Sequence, residues 1–277
     1  MSKSSDYLYQ VFSLDSKTAI VTGAGGGIGA ALATGLARAG ATVALCDINL
    51  DALDVVRKEI SDLGGKALVM KMDMRDTSKF NEIVREICEK SNGFSESGGG
   101  IDILVNCAGI NKREGIYDVA EETFDNIMNI NLKGAFFLSQ AVAPYMKAGK
   151  NGAIINVGSH NTGPVLGGVS VYAASKSGLL ALTRSMAVEW AKYNIRANCI
   201  SPGHIQTPLT APTWQNPERS KYLLERIALG RPGTPDDIVG LCIFLASDAA
   251  AYITGCEYRV DGGCVCGGQP WPYDTEF

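Results

Sequence analysis

The sequence predicts an α/β fold: a single-domain, doubly wound parallel sheet with helices on both faces and a small substrate lid. Three observations carry this reading. Short continuous apolar runs alternate with helical patterns from Thr18 to Ser201, as expected for strands buried on both faces. A glycine-rich turn links the first apolar run to the first helix. The 277 residues are 46% hydrophobic and 19% charged, which suits one substantial core and is far from the composition of a disordered chain. With no internal repeat, residues 1–277 read as one domain.

The elements follow in order. Thr18–Thr22 (TAIVT) is a buried strand, and Ile28–Ala39 a helix ended by Gly40. Ala41–Asp47 (ATVALCD) is the second strand; Leu50–Leu63 is an amphipathic helix stopped by Gly64 and Gly65. Lys66–Asp73 is the third strand, followed by a helix from about Ser78 to Glu89. Ser91–Gly100 (SNGFSESGGG) reads as a flexible surface loop longer than the fold needs. Ile101–Asn106, Ala153–Ser159 and Ile195–Ser201 are further strands. His204–Gly233 is polar and proline-rich, with a helical core around Lys221–Ala228, and leaves a strand's carboxyl end where a substrate lid sits. Cys264–Phe277 is a tail carrying Trp271, Tyr273 and Phe277.

Composition excludes several classes of function. A net charge of −4 argues against a nucleic-acid surface, which needs a basic face. Met1–Gln10 lacks an apolar core, and no apolar run is long enough to span a bilayer, so no membrane partner is expected and the location is read as cytoplasmic. The eight cysteines form no CxxC pair and read as buried free thiols in a reducing compartment. Cys264 and Cys266 would suggest metal or redox chemistry only with two further ligands nearby. None is visible in the sequence, and no metal is expected.

TGAGGGIG, Thr22–Gly29, has the context a dinucleotide site requires: strand before, helix after, and an acidic residue ending the second strand. Gly23 permits the tight turn. Gly27 and Gly29, with Ile28 between them, let the backbone approach a pyrophosphate and the helix pack on the strand. These are the marks of a Rossmann fold. Asp47 can accept hydrogen bonds from both adenosine ribose hydroxyls and repels a 2′-phosphate, and no Arg or Lys follows it in DINLD. NAD is therefore expected over NADP. A helix cap is the plainer role for an aspartate there, but Asn49 or Asp51 suits it better. Asp73, followed by Met74, ends the third strand where the adenine lies; a bond to the adenine amine and a plain strand-end turn both remain open.

VYAASK, Val171–Lys176, sets Tyr172 and Lys176 on one face of a helix. A phenol is a poor base at neutral pH, and a cation within reach favours its ionised form. Alone, such a pair is more often an exposed helix contact. Ser159, ending the preceding strand, is able to bond the same substrate oxygen, and a nicotinamide cofactor is already implied. Together these point to proton transfer at an alcohol oxygen beside a hydride transfer.

From about Lys17 to Gly263 the chain resembles the short-chain dehydrogenase/reductase family. The motifs stand in order: TGAGGGIG, the Asp47 strand end, NCAG (Asn106–Gly109), Asn131 within NINLKG, Ser159, YAASK, PGHIQTP (Pro202–Pro208) and DGG (Asp261–Gly263). Cys107 departs from the family's usual second Asn, at a position where a small thiol is expected to be tolerated. The resemblance implies Tyr172 as general acid/base, Lys176 as its assisting cation and nicotinamide-ribose ligand, and Ser159 as the group that polarises the substrate oxygen. Asn131, otherwise an ordinary buried helix amide, would hold a water linking Lys176 to solvent. Asn106, Ala108 and Gly109 would wall the cofactor site, as would Pro202, Gly203, Ile205 and Thr207, the last two touching the carboxamide. A homotetramer built on two long helices near Thr123–Lys147 and Tyr172–Tyr193 is also implied.

The substrate must be read from local features. His160 and Asn161 follow Ser159 and are polar, as a hydroxyl-rich substrate wants. Trp214 offers a face to a sugar, though lid aromatics more often pack the lid itself. Lys112 and Arg113 leave the fourth strand beside the nicotinamide. A guanidinium there can hold a carboxylate bidentately; a solvated surface pair is the plainer reading, and at most one of the two is expected to face the cleft. AGINKR, the lid entry TPLTAP and the tail GGQP resemble the gluconate 5-dehydrogenase branch, which adjoins the 2-deoxy- and 2-dehydro-3-deoxy-gluconate dehydrogenases. This implies a sugar-acid substrate with Arg113, Ser159, His160 and Tyr172 around it. The expectation is an NAD-dependent enzyme interconverting a secondary alcohol and a ketone on gluconate or a deoxygluconate. The alternatives are the same chemistry on a neutral polyol, ketose or cyclic ketone, and a catalytically inactive dinucleotide-binding regulator. The intact set Asn131, Ser159, Tyr172 and Lys176 disfavours the last.

Overall fold

A computed structural model describes residues 3–91 and 100–268. Its strands are β1 (Thr18–Thr22), β2 (Thr42–Asp47), β3 (Lys66–Lys71), β4 (Ile103–Asn106), β5 (Gly152–Val157), β6 (Ile195–Pro202) and β7 (Glu257–Val260). They form a seven-stranded sheet in the order β3-β2-β1-β4-β5-β6-β7, and every pairing is parallel. The chain runs outward from β1 to β3, then returns to the other side of β1 as β4. The connections leaving β1 and β4 diverge, and this opens a crevice at the strands' carboxyl ends.

The helices are α1 (Lys3–Phe12), α2 (Gly27–Arg38), α3 (Leu50–Asp62), α4 (Phe80–Ser91), α5 (Glu121–Met128), α6 (Ala135–Gly149), α7 (Ser170–Trp190), α8 (Ala211–Trp214), α9 (Pro217–Leu224) and α10 (Asp236–Ala246). Side chains alternate across the sheet, so β1 serves two apolar layers. Val21 joins Leu32, Leu36, Ile238 and Leu245 on the side of α2 and α10. Ile20 joins Val84, Leu138, Val142 and Met186 on the side of α4, α6 and α7. At Gly35 a Cβ would stand 2.3 Å from Val239 Cγ1, so α2 and α10 approach more closely than an alanine allows.

Several bounds differ from the expectation. The long helix predicted near Thr123–Lys147 is α5 and α6 joined by a π-helical turn, Asn129–Gly134. The helical core of the lid lies earlier than Lys221–Ala228: Asn216 caps α9 by accepting from Arg219 N at 3.0 Å, and Pro217 opens its first turn. The cysteines are free thiols, but only Cys46, Cys199 and Cys242 are buried. Cys256 and Cys266 are exposed, since one precedes the edge strand β7 and the other sits in a surface turn. Most of the predicted loop Ser91–Gly100 and the tail from 269 onward, with Trp271, Tyr273 and Phe277, lie outside the described residues. No described helix is long and apolar enough to cross a membrane.

A buried polar chain ties the layers together behind the crevice. Asn106 Nδ2 donates to Ser139 Oγ (3.0 Å) and Asn156 Oδ1 (2.8 Å), and Asn156 Nδ2 donates to Thr183 Oγ1 (2.8 Å). It links β4, β5, α6 and α7. Replacing Asn156 by Ala orphans an Asn106 N–H in a fully buried setting, at a cost of about 1–3 kcal/mol. Urea unfolding of Asn156→Ala is expected to show a lower midpoint than the wild type; an unchanged midpoint contradicts this account of the network.

Candidate active site

A cavity of about 540 Å³ runs along the carboxyl ends of the strands. Its first half is made mostly of main chain. Gly23 has φ +68°, and a Cβ there would stand 2.9 Å from Ala108 Cα; a Cβ on Gly29 would lie 2.1 Å from Gly23 O. Only glycine fits the turn that brings the start of α2 to the crevice. Thr22 Oγ1 accepts from the N–H groups of Cys107 and Ala108, both at 3.1 Å, and so pins the NCAG segment to β1. The first-turn N–H groups of α2 lack intrahelical partners and suit a pyrophosphate. Ile28, Met74, Ala108 and Gly109 also line the cavity.

Asp47 lines it at the end of β2. Its carboxylate accepts from Gly25 N (3.2 Å) and Asn49 N (3.1 Å), while Asn49 itself caps α3 through Ala52 N. Asp47 is therefore not the cap, and its carboxylate stands at the cavity wall. Asp73 lines the cavity too, but Arg75 forks onto its carboxylate, at 2.7 Å from Nη2, and its Oδ1 accepts from Arg75 N. This favours the strand-end turn for Asp73 over a free adenine acceptor. Asn106, expected in the cofactor wall, turns its side chain into the buried polar chain and is not among the lining residues. Cys107 lines the cavity, and burial pushes its thiol up to about 11, keeping it neutral.

The second half carries the reactive side chains. Ser159, Tyr172 and Lys176 all line the cavity. Ser159 Oγ accepts from Asn161 N and Nδ2, both at 3.1 Å, which leaves its own hydrogen free to donate. Lys176 is 3% exposed, donates to Val157 O at 2.7 Å and has its Nζ 5.8 Å from the centre of the Tyr172 ring. Asn131 lies behind the wall, in the π-helical turn. Its Oδ1 accepts from Ile110 N (2.8 Å), and its Nδ2 donates to Ile110 O (2.9 Å) and Ser175 Oγ (3.1 Å). A Cβ on Gly109 would meet Asn131 Oδ1 and Lys176 Nζ, each at 3.3 Å. Pro202, Gly203, Ile205 and Thr207 close the far side.

The polar end of the cavity distinguishes the two adjacent cations. Lys112 is tied away, with Nζ 2.5 Å from Glu114 Oε1 and 3.1 Å from Thr123 Oγ1. Arg113 lines the cavity, and no ion pair to it occurs among the described residues. His160 lies beside Ser159. His204, which the sequence reading did not assign to the site, and Trp214, for which it left sugar stacking and lid packing open, line the same end. Burial lowers the pKa of His160, and burial with the neighbouring His160 and Arg113 takes His204 to about 4. Both rings are therefore neutral near pH 7. His160 Nδ1, His204 Nε2 and Trp214 Nε1 are buried without hydrogen-bond partners.

This fold, with a glycine-walled dinucleotide cradle and a Ser–Tyr–Lys set at the strand ends, defines a nicotinamide-dependent oxidoreductase acting on CH–OH groups. The chain belongs to the short-chain dehydrogenase/reductase family. A family model described as enoyl-(acyl carrier protein) reductase matches residues 23–265. The chain is 39% identical to a 3-oxoacyl-[acyl-carrier-protein] reductase of Thermotoga maritima, over 91% of this chain and 99% of that protein. It is also 39% identical to a 2-dehydro-3-deoxy-D-gluconate 5-dehydrogenase of Escherichia coli K12, over 92% and 98%. The structure matches a gluconate 5-dehydrogenase from Burkholderia cenocepacia in complex with NADP and tartrate, with a TM-score of 0.86 and 34% identity, covering 94% of this chain and 99% of that one.

The Asn131 clamp yields a direct test. Asn131→Ala removes the acceptor of the Ile110 N–H, and losing about 1.4 kcal/mol of local protection is a tenfold change. Hydrogen exchange at Ile110 is expected to accelerate about tenfold or more, while amides of β1 and β4 keep their protection. Unchanged exchange at Ile110 refutes the clamp.

Proposed function

We propose that the chain is an NAD-dependent dehydrogenase that interconverts a secondary alcohol and a ketone on a sugar acid such as gluconate or a deoxygluconate. The observation that carries the substrate is Arg113: a guanidinium in the cavity wall, without an ion-pair partner among the described residues, beside a lysine that is already engaged. A carboxylate is the natural partner for that fork. The gluconate and deoxygluconate dehydrogenases among the relatives support the same class. Asp47 supports NAD, because its carboxylate repels a 2′-phosphate and no cation replaces it in DINLD. The Burkholderia protein was solved with NADP, so cofactor choice within this family has to be read from each chain's own second strand.

When bound, the dinucleotide supplies the hydride acceptor. Its pyrophosphate would be held by the Gly23–Gly29 turn, its adenosine ribose by Asp47, and its nicotinamide half by Lys176, Ile205 and Thr207. Tyr172 takes the hydroxyl proton as the alcohol is oxidised. Ser159, whose Oγ already accepts from Asn161, directs its hydrogen at the substrate oxygen as that becomes a carbonyl. Lys176 is a buried cation whose Nζ stands 5.8 Å from the centre of the Tyr172 ring, beside the phenol that exchanges the proton. Asn131 holds the loop from Gly109 to Arg113 and the water through which Lys176 exchanges protons with solvent. His160 contributes to the polar wall around the substrate. The reading includes a cytoplasmic homotetramer. Phe124, Phe137 and Val188, exposed on α5, α6 and α7, support that assembly.

Two variants separate this reading from its rivals. Tyr172→Phe is expected to abolish NAD reduction with every alcohol tried while NADH binding persists; retained turnover eliminates Tyr172 as the base. A screen of wild type and Arg113→Ala over gluconate, deoxygluconates and neutral polyols, with NAD and with NADP, tests the rest. Loss of a charge-assisted hydrogen bond is worth about 1.5–3 kcal/mol. Arg113→Ala is thus expected to raise the KM for the sugar acid by roughly tenfold or more and leave that for a polyol unchanged. Equal effects on both reassign the substrate to a neutral alcohol.

A further inference from the structure

Cys264 lies far along the chain from His160 and His204, yet the fold gathers all three. One ring nitrogen from each histidine and the Cys264 Sγ lie within 4.8 Å of one another. The two rings meet edge to face with centroids 4.5 Å apart. His160 is 5% exposed, and its Nδ1, like Nε2 of His204, is buried without a hydrogen-bond partner. Such atoms are costly to leave unpaired, and in a folded protein they call for an occupant. Two imidazoles and a thiol are the donor set of a d-block cation; magnesium and calcium take oxygen ligands instead.

We propose that His160, His204 and Cys264 form a binding site for a divalent d-block cation, with zinc as the reference ion. On binding, the sulfur–metal bond replaces the S–H bond and the thiol proton passes to solvent, with no change of oxidation state. Zn–N bonds of about 2.0–2.1 Å and Zn–S bonds of about 2.3 Å bring tetrahedral ligand atoms to about 3–4 Å from one another. The present spacing closes with a shift of about 1 Å. Cys264 begins a short turn between Gly263 (φ +81°) and Gly267 (φ +121°). Three protein ligands leave a fourth position open. Both histidines line the cavity that Ser159 also lines. Cys266, two residues on, is exposed and stands outside the cluster.

The site is independent of which alcohol the enzyme oxidises, and its test does not use turnover. The full-length protein, stripped with a chelator, is titrated with Zn²⁺ by calorimetry and with Co²⁺ by absorption. The expected result is one equivalent bound per chain and a thiolate-to-cobalt charge-transfer band. Cys264→Ser and His204→Phe are each expected to weaken binding at least tenfold, and Cys264→Ser to remove the band; Cys266→Ser is expected to retain both. NADH binding reports that each variant is folded, and Cys264→Ala serves if the serine variant is not. The proposal is overturned by the lack of stoichiometric binding, by a charge-transfer band that survives in Cys264→Ser, or by a band lost only in Cys266→Ser. In the first case the free ring nitrogens belong to the organic substrate alone.

Discussion

One amide holds the reactive end of the cavity in register. Asn131 exchanges two hydrogen bonds with the backbone of Ile110 and gives a third to Ser175. It can do so because the helical path widens to a π-turn at Asn129–Gly134, which turns the side chain toward the loop leaving β4. The rest of the site hangs on this. Ile110 fixes Gly109, whose lack of a side chain leaves room for the Lys176 ammonium. Lys176 is held in turn by the Val157 carbonyl at the end of β5. The same loop then carries Arg113 into the cavity wall and Lys112 away from it.

The two halves of the cavity are built by different means. The dinucleotide half depends on close main-chain approach, as where Gly23 meets Ala108, and on hydrogen bonds such as those from Cys107 and Ala108 to Thr22. The substrate half depends on side chains that bring their own polarity: Arg113, Ser159, His160, His204 and Trp214. A backbone surface tolerates little change, whereas a side-chain wall can be altered one residue at a time. That division suits a chain whose relatives, at 39% identity, are named for different substrates.

Much of this was legible in the sequence because the signals are local. β1 and β5 are buried at every position and read as continuous apolar runs. The glycine turn, Asp47, Ser159, Tyr172 and Lys176 are legible through spacing along single elements. Helix α10 escaped notice because apolar residues surround most of its circumference, which erases the amphipathic stripe. β7 is a four-residue, partly exposed edge strand with no apolar run to announce it. The π-turn has no local signature, and the side-chain bonds that Asn131 makes from it reach a residue 21 positions away. Asn106 is read from the NCAG motif as part of the cofactor wall, together with Ala108 and Gly109. Motif adjacency does not say which way a strand residue points, and this one points inward. The gathering of Cys264 with His160 and His204 is wholly a product of the fold.

The contact between Gly27 and Thr207 has a separate meaning. A Cβ on Gly27 would stand 3.1 Å from Thr207 Cβ and Cγ2, so the glycine-rich turn lies beneath the start of the lid as well as facing phosphate. Thr207 is itself knotted to Thr210, whose hydroxyl donates to Ile205 O at 2.7 Å. Side-chain bulk at Gly27 therefore presses first on the segment that covers the substrate. The smallness of that residue thus also seats the segment that begins at Thr207, within a motif ordinarily read for nucleotide alone.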